Sequence, residues 1–377
     1  MTTVRRLLAG RGPWPVGLLR VGLLLLIVGE LFVTATIQHP GLLHPETVGT
    51  DASNYYAAGQ RLNDGHPLYG PLEPGDRPVP GYPGTYPAPL LSPPLDAVIW
   101  RPLAVLPGDL SMVLWWLAGL VLLSGMAIGF ALVARPPQLL LLGGILALGV
   151  PLTLILSAPY RYPGANSPVS IAALSGNINN FIAGLFVLTW WASSRGRPRL
   201  AGAAAALATA LKLGPVVLLW WFVTRRDWRA VRYFAIALVG FGLVGLVFAG
   251  LDSNLAYLKV ATGAAIKPTT WSVASLAHRL LHIRAGRLQL VALVTVITGL
   301  VAMVALRNRP RAGFFVAILV SIFSSPVVLQ GNFALLLAAA APWVFPRPVS
   351  VGASTPPPDA RIGDPGGRTS GAGTGEP

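Results

Sequence analysis

The chain has 377 residues, of which 54% are hydrophobic and only 11% charged, with a mean hydropathy of +0.63 and a formal net charge of +15. A soluble domain carries roughly a quarter of its residues charged, so most of this surface must face lipid. The basic excess falls in short arginine runs between apolar segments, which excludes a nucleic-acid-reading face, and the lack of cysteine excludes disulfides, thiolate metal sites and cysteine nucleophiles.

In chain order, Arg5, Arg6, Arg11 and Arg20 flank a first apolar run, Val16–Ile37. It is long enough to span a bilayer at about 1.5 Å per residue and longer than a secretory apolar region, and no small-residue cleavage site follows, so it reads as an uncleaved first helix. Further spanning candidates are Leu110–Val133, Gln138–Ser157, Leu174–Ser193, Val231–Ala249, Leu288–Leu306, Gly313–Val328 and Phe333–Phe345. Ala88–Leu106 is interrupted by Pro89, Pro93, Pro94, Asp96, Arg101 and Pro102. Each proline removes a backbone donor that lipid cannot replace, so this segment is expected at the outer interface without spanning.

Leu200–Val223 poses the topological problem, because arginines flank both of its ends: Arg195, Arg197 and Arg199 before it, Arg225, Arg226, Arg229 and Arg232 after it. A simple crossing would export one cluster. Lys212, Gly214 and Pro215 interrupt it near the middle, leaving two arms of about 10–12 residues, each too short for roughly 30 Å of hydrocarbon. A re-entrant hairpin keeps both clusters inside, along with Arg135, Arg307, Arg309, Arg311 and Arg347. The expected fold is therefore an all-α polytopic bundle of about eight spanning helices with that hairpin and an interfacial helical outer loop. A ten-crossing chain that exports Arg195–Arg199 is the alternative. The membrane domain is expected over 1–348, with outer loops at 38–107 and 251–286, and a Pro/Gly-rich disordered cytoplasmic tail over 349–377.

The first outer loop carries most of the acids: Glu46, Asp51, Asp64, Glu73, Asp76 and Asp96. Asp51 precedes an Ala-rich stretch expected to be helical, so its carboxylate suits either a helix cap or a general base above the mouth of the bundle. Tyr55, Tyr56, Tyr69, Tyr82 and Tyr86 crowd the same loop and suit an interfacial belt or stacking on a sugar. His278 and His282 are four apart with no third ligand near, so no metal site is expected. Leu276–Ile283 reads as an amphipathic interfacial helix. Glu30, within the first apolar run, needs a partner in the bundle.

The ordered series Asp51, Tyr55-Tyr56, Gly59, Leu62, Gly65, Pro67-Leu68-Tyr69, followed by Tyr86-Pro87, Pro94-Leu95 and Pro102-Leu103, resembles glycosyltransferase family 87. Gly176-Asn177-Ile178-Asn179 resembles that family's G-Q-x-N stretch at a helix start. Ala201-Gly202 with Lys212, Pro215, Arg225-Arg226 and Trp228-Arg229-Ala230 is similar to its A-G…K-x-x-P…R-x-W-R-A block. Trp271-Ser272, Leu276 and Arg279-Leu280 resemble its late outer-loop motif. Together these run from Gly49 to Pro342. Where the family usually has an aromatic and a histidine before the last helix, this chain has Leu329-Gln330-Gly331-Asn332-Phe333. Neither Gln330 nor Asn332 titrates near neutrality, though each can hydrogen-bond a sugar hydroxyl, and this departure puts turnover or specificity in doubt.

The resemblance implies a C-type bundle of the actinobacterial cytoplasmic membrane with its active site facing outward. It implies hexose transfer, typically of mannose, from a polyprenyl-phosphate sugar to a lipid or glycan acceptor, with inversion and with Asp51 as base. No cofactor and no metal are expected, because a lipid-phosphate sugar is already activated; the partners are the donor, the acceptor and the bilayer, and no nucleic acid. Tyr55, Tyr56, Tyr86, Asn177, Asn179, Lys212, Lys267, Ser272, Arg279 and Asn332 are the candidate donor- or acceptor-binding residues. Lys212, Lys259, Lys267, Arg279 and Arg161 are the candidate cations for the leaving phosphate. The hairpin reading sets Lys212 in the cytoplasmic half of the membrane, which conflicts with an outer-side phosphate. A glycolipid transporter or flippase and a non-catalytic glycolipid-binding homologue remain the alternatives.

Overall fold

The computed structural model describes residues 18, 21–22, 51–69, 92–135, 176–263, 272–284, 287–324, 328 and 330–345. The expected span Gln138–Ser157, the expected tail and all of the expected span Val16–Ile37 except Leu18, Val21 and Gly22 therefore lie outside the described residues. Among the described residues all regular structure is helical. In chain order the helices are α1 Asp51–Asn63, α2 Pro94–Trp100, α3 Gly108–Val133, α4 Asn179–Ser194, α5 Pro198–Leu211 and α6 Val217–Thr224. They continue with α7 Trp228–Gly263, α8 Val273–Leu281, α9 Leu288–Ala305, α10 Pro310–Phe323, α11 Leu335–Ala339 and α12 Ala341–Val344.

Local chemistry sets many of the boundaries. Proline stands in the first turn of α2, α5 and α10, where a missing N–H costs nothing. Asp227 caps α7 by accepting from the Ala230 N–H at 3.1 Å, and Ser272 caps α8 by accepting from Ser275 N–H at 3.1 Å. In α7 the helix breaks at Gly250, whose φ of 79° and ψ of 162° no ordinary side chain adopts easily. That break falls where the apolar run was expected to end, after Ala249, but the following outer loop continues as helix to Gly263. Carbonyls freed near the break are satisfied: Arg101 Nη1 donates to Phe248 O at 3.1 Å, and Asn254 Nδ2 to Gly250 O at 2.7 Å.

Three described helices are long and apolar enough to cross a membrane: Gly108–Val133, the 228–261 part of α7, and Leu288–Ala305. Only 11% of the best window of α7 and 17% of that of α9 is buried within the protein. Their exposed side chains, Val239, Leu243, Val247, Leu290, Val294 and Val301 among them, form an apolar surface that suits lipid. Among its described residues, 92–106, the proline-rich 88–106 segment holds the seven-residue α2 and a short 3-10 turn at Leu103–Val105, each far too short to span.

The segment between the two arginine clusters is broken as its Gly and Pro suggested. Lys212 is extended at the end of α5, and a 3-10 turn at Gly214–Val216 leads into α6. The chain then comes back: Arg225 Nη1 donates to Ser193 Oγ at 3.0 Å, and the Trp190 and Trp221 rings lie 5.9 Å apart, so the end of α6 sits beside the end of α4. Trp221 Nε1 also reaches Pro310 O at 3.3 Å, and Trp190 Nε1 reaches Phe345 O at 2.9 Å. The arginine runs at 195–199, 225–232 and 307–311 therefore share one end of the bundle. Lys212 is at the other. α5 has 14 residues, a rise of about 21 Å, which carries Lys212 up to the first residue of α4. The expectation that Lys212 lies on the same half as the arginine clusters is corrected, because the arm before it is longer than its apolar pattern suggested.

Candidate active site

Asp51 is the first residue of α1, a helix whose Ala-rich middle packs on α2 through Gly59. A Cβ at Gly59 would stand 2.9 Å from the Trp100 carbonyl, so only glycine lets the two backbones approach so closely. The Tyr55 ring, one turn on, is buried against Trp100 and Trp115 with centroids 6.1 and 6.4 Å away. This aromatic wall is continued by Phe181, 4.4 Å from Trp115, and fixes α1 against the start of α4.

The approach to α4 supplies the polar half of the site. Gly176 has φ +60°, and a Cβ there would fall 2.7 Å from the Ala52 side chain. Its carbonyl accepts from Trp115 Nε1 at 2.7 Å. So anchored, Asn177 Nδ2 donates to Asp51 Oδ2 at 2.5 Å, while its own Oδ1 accepts from the Asn179 backbone N–H at 2.8 Å. The Ile178 N–H donates to the Tyr55 hydroxyl at 3.5 Å. From Asn179 the network continues: its Nδ2 donates to Asn332 Oδ1 at 2.5 Å, and its Oδ1 accepts from Lys212 Nζ at 3.2 Å. Lys212 Nζ also donates to Asn332 Oδ1 at 3.1 Å. A carboxylate, three amides and an ammonium thus run as one hydrogen-bonded chain. Asn177, Asn179 and Asn332 are buried within it.

Sequence reasoning passed over Asp96, counting it only among the loop acids. It sits in α2 with no exposed surface, and the Ser92 side chain nearby makes no well-formed hydrogen bond to either carboxylate oxygen. Burial is the main reason its proton affinity is raised from the usual 3.8 to about 7; the Ser92 side chain and the Lys212 charge oppose this, and Asp51 adds to it. The same pair of carboxylates raises Tyr55 well above the ordinary phenol value, after burial itself. A lone acid inside the apolar stretch PLDAVIW was the available signal; the surrounding prolines hid it by suggesting a wet interface.

Asp51, Tyr55, Asn177, Asn179, Lys212 and Asn332 are therefore brought together. Asn332 stands in the stretch where the resemblance expects a histidine, and there it accepts from both Lys212 and Asn179. Tyr56 serves the scaffold instead: its hydroxyl donates to Leu106 O at 3.1 Å and accepts from Gln60 Nε2 at 2.9 Å. Ser272 is likewise occupied as the cap of α8, and Arg279 lies in the last turn of that helix. Tyr86, Lys267, Arg161 and Glu30 fall outside the described residues, and among the described residues no group of three His, Cys, Asp or Glu could hold a metal ion.

The arrangement pairs a hydrogen-bonded carboxylate with a partly buried cation, the requirements for taking a proton and stabilising a departing anion. The chain matches the family model of glycosyltransferase family 87 over residues 91–330, more than half its length, and belongs to that family. Asn177, Asn179 and Lys212 lie inside the matched region; Asn332 lies two residues past its end, and Asp51 forty residues before its start. None of the curated proteins and none of the solved structures matches the chain.

Proposed function

We propose that this member of glycosyltransferase family 87 transfers a hexose, mannose in the first instance, from a polyprenyl-phosphate sugar to a glycolipid or glycan acceptor. Family membership implies glycosyltransferase activity; the donor, acceptor and mechanism are the reading advanced here. Asp51 takes the proton of the acceptor hydroxyl as its oxygen attacks the anomeric carbon. The bond to the phosphate oxygen breaks on the opposite face, so the product is inverted and the polyprenyl phosphate leaves as an anion. Lys212 stabilises that anion, and Asn179 and Asn332 hold the ammonium ready while offering polar edges to sugar hydroxyls. Asn177 orients the Asp51 carboxylate.

The observation that carries this reading is the hydrogen-bonded chain from Asp51 through Asn177, Asn179 and Asn332 to Lys212. A base and a phosphate-stabilising cation, both partly exposed and tied together by buried asparagines, suit displacement at a lipid-phosphate sugar. We read the chain as crossing the cytoplasmic membrane eight times, with 200–223 re-entering from the cytoplasmic side and the site on the outer side. The common end shared by the arginine runs supports that sidedness under the positive-inside bias. Purified protein incubated with radiolabelled polyprenyl-phosphate mannose and a lipid extract tests the function. Labelled glycolipid formed by the wild type and lost in Asp51→Asn is expected; no transfer from any polyprenyl-phosphate hexose refutes the reading.

A further inference from the structure

Among the described residues, Asp96 is the one buried carboxyl near the site that the proposed reaction does not use. It is fully enclosed between α1, α5 and α7, and both its oxygens lack well-formed hydrogen bonds among the described residues. Asp51 differs on each count: it is partly exposed, begins a helix, and is held by the Asn177 amide. An ionised carboxylate with neither water nor donors is far costlier to bury than a neutral carboxyl.

Counting charges sharpens the contrast. Two carboxyls, Asp51 and Asp96, act on a single ammonium, Lys212, which is already held by the Asn179 and Asn332 oxygens. On α1 the remaining groups are Tyr55 and Tyr56, both buried phenols, and Arg61, whose Nε donates to Pro67 O at 2.8 Å. Past the end of α2, Arg101 is engaged by Asn63 and Phe248. On α7, Tyr257 is a buried phenol 5.9 Å from the ring of Tyr69, which feels the Asp96 charge, and Asp252 and Lys259 are exposed. Among the described residues, Lys212 is the cation whose charge acts on Asp96.

We propose that Asp96 is a positioning residue held neutral in the working enzyme, leaving Asp51 the sole anion of the cluster and Lys212 free to meet the donor phosphate. An anionic Asp96 would compete with phosphate for Lys212 and add a repulsive charge beside the departing anion. The raised proton affinity of Asp96, about 7, fits this assignment and sets where it fails: transfer declines as pH rises through that region. The activity part of this inference rests on the glycosyltransfer reading; the protonation part does not.

The test is the pH profile of kcat/KM for wild type and Asp96→Asn, together with infrared difference spectra of each in detergent. Asp96→Asn copies the neutral carboxyl in shape and cannot ionise, so its alkaline limb should move up by at least one pH unit. The spectra should show a protonated carboxyl stretch that titrates near neutrality in the wild type, persists in Asp51→Asn and vanishes in Asp96→Asn. An unmoved alkaline limb, folded Asp96→Asn inactive at every pH, or absence of that band each overturns the proposal. If the wild type transfers no sugar at all, the reaction assignment falls, and the infrared band alone still decides the state of Asp96.

Discussion

Asn177 and Asp51, 126 positions apart in the chain, are joined by a 2.5 Å hydrogen bond from the amide nitrogen to one carboxylate oxygen. That bond holds the carboxylate in one orientation and favours its ionised form, the form a base needs, whereas Asp96 is fully buried. Asp51→Asn should lower kcat by about 10²–10⁴-fold, the span of general-base contributions. Asn177→Ala should lower it by roughly 10- to 100-fold, the equivalent of one hydrogen bond to a charged group. Steady-state rates with saturating donor check both. An Asn177→Ala rate equal to wild type would deny the amide any orienting role.

Lys212→Met removes the cation but keeps much of the bulk. With the phosphate unsupported, kcat should fall by roughly 10²–10³-fold, the loss typical of one donor that stabilises a developing anion. The rate is read on protein that elutes as a single folded species. Loss confined to the acceptor KM would reassign Lys212 to acceptor binding.

The close crossing of α5 and α7 depends on Gly202, where a Cβ would lie 2.5 Å from the Ala230 oxygen and 2.7 Å from the Phe234 nitrogen. Gly202→Ala should cost about 1–3 kcal/mol by forcing these backbones apart. Gly240→Ala in α7, where a Cβ meets nothing within 4 Å, should be neutral or stabilising by up to about 1 kcal/mol. Thermal unfolding in detergent separates the two, and equal melting temperatures would show that the crossing relaxes freely.

Stability should also carry the imprint of Asp96. Its folded proton affinity lies near 7 against an ordinary 3.8, so between those pH values the folded chain holds a proton that the unfolded chain has lost. Stability from this group therefore falls as pH rises from about 4 to about 7, then levels off. Asp96→Asn removes that fall. Its gain over wild type should be absent near pH 4 and reach a few kcal/mol, to order of magnitude, by pH 8. Melting curves at several pH values check this, and a pH-independent gain would contradict it.

The native chain has no cysteine, which makes sidedness directly accessible. Asp64→Cys, exposed just beyond α1, should react with a membrane-impermeant thiol reagent in intact cells, and Arg195→Cys should not. Labelling of position 195 from outside would overturn the re-entrant topology in favour of a simple crossing.

Much of the frame was legible in the chain. Apolar length marked α3 and α9 nearly to their ends, because a span must satisfy its backbone internally and show lipid an unbroken apolar surface. The Lys212, Gly214 and Pro215 interruption marked the break between α5 and α6, and the flanking arginines announced that both ends belong on one side. Asp51, Asn177, Asn179 and Lys212 carried the family resemblance. Tyr56 and Ser272 shared it yet serve local hydrogen bonds, which no spacing could separate from binding.

Charge placement and hydrophobic length, both properties of short stretches, were enough by themselves to establish a helical membrane protein with arginines clustered between its apolar segments. Which polar residues meet was decided only in three dimensions. Lys212 reaches Asn179 and Asn332 from 33 and 120 positions away because α5 rises alongside α4 before the chain turns back. Asp96 became chemically distinctive only when α1, α5 and α7 closed over it, since its proton affinity follows from the water and partners it lost, and no local pattern records either.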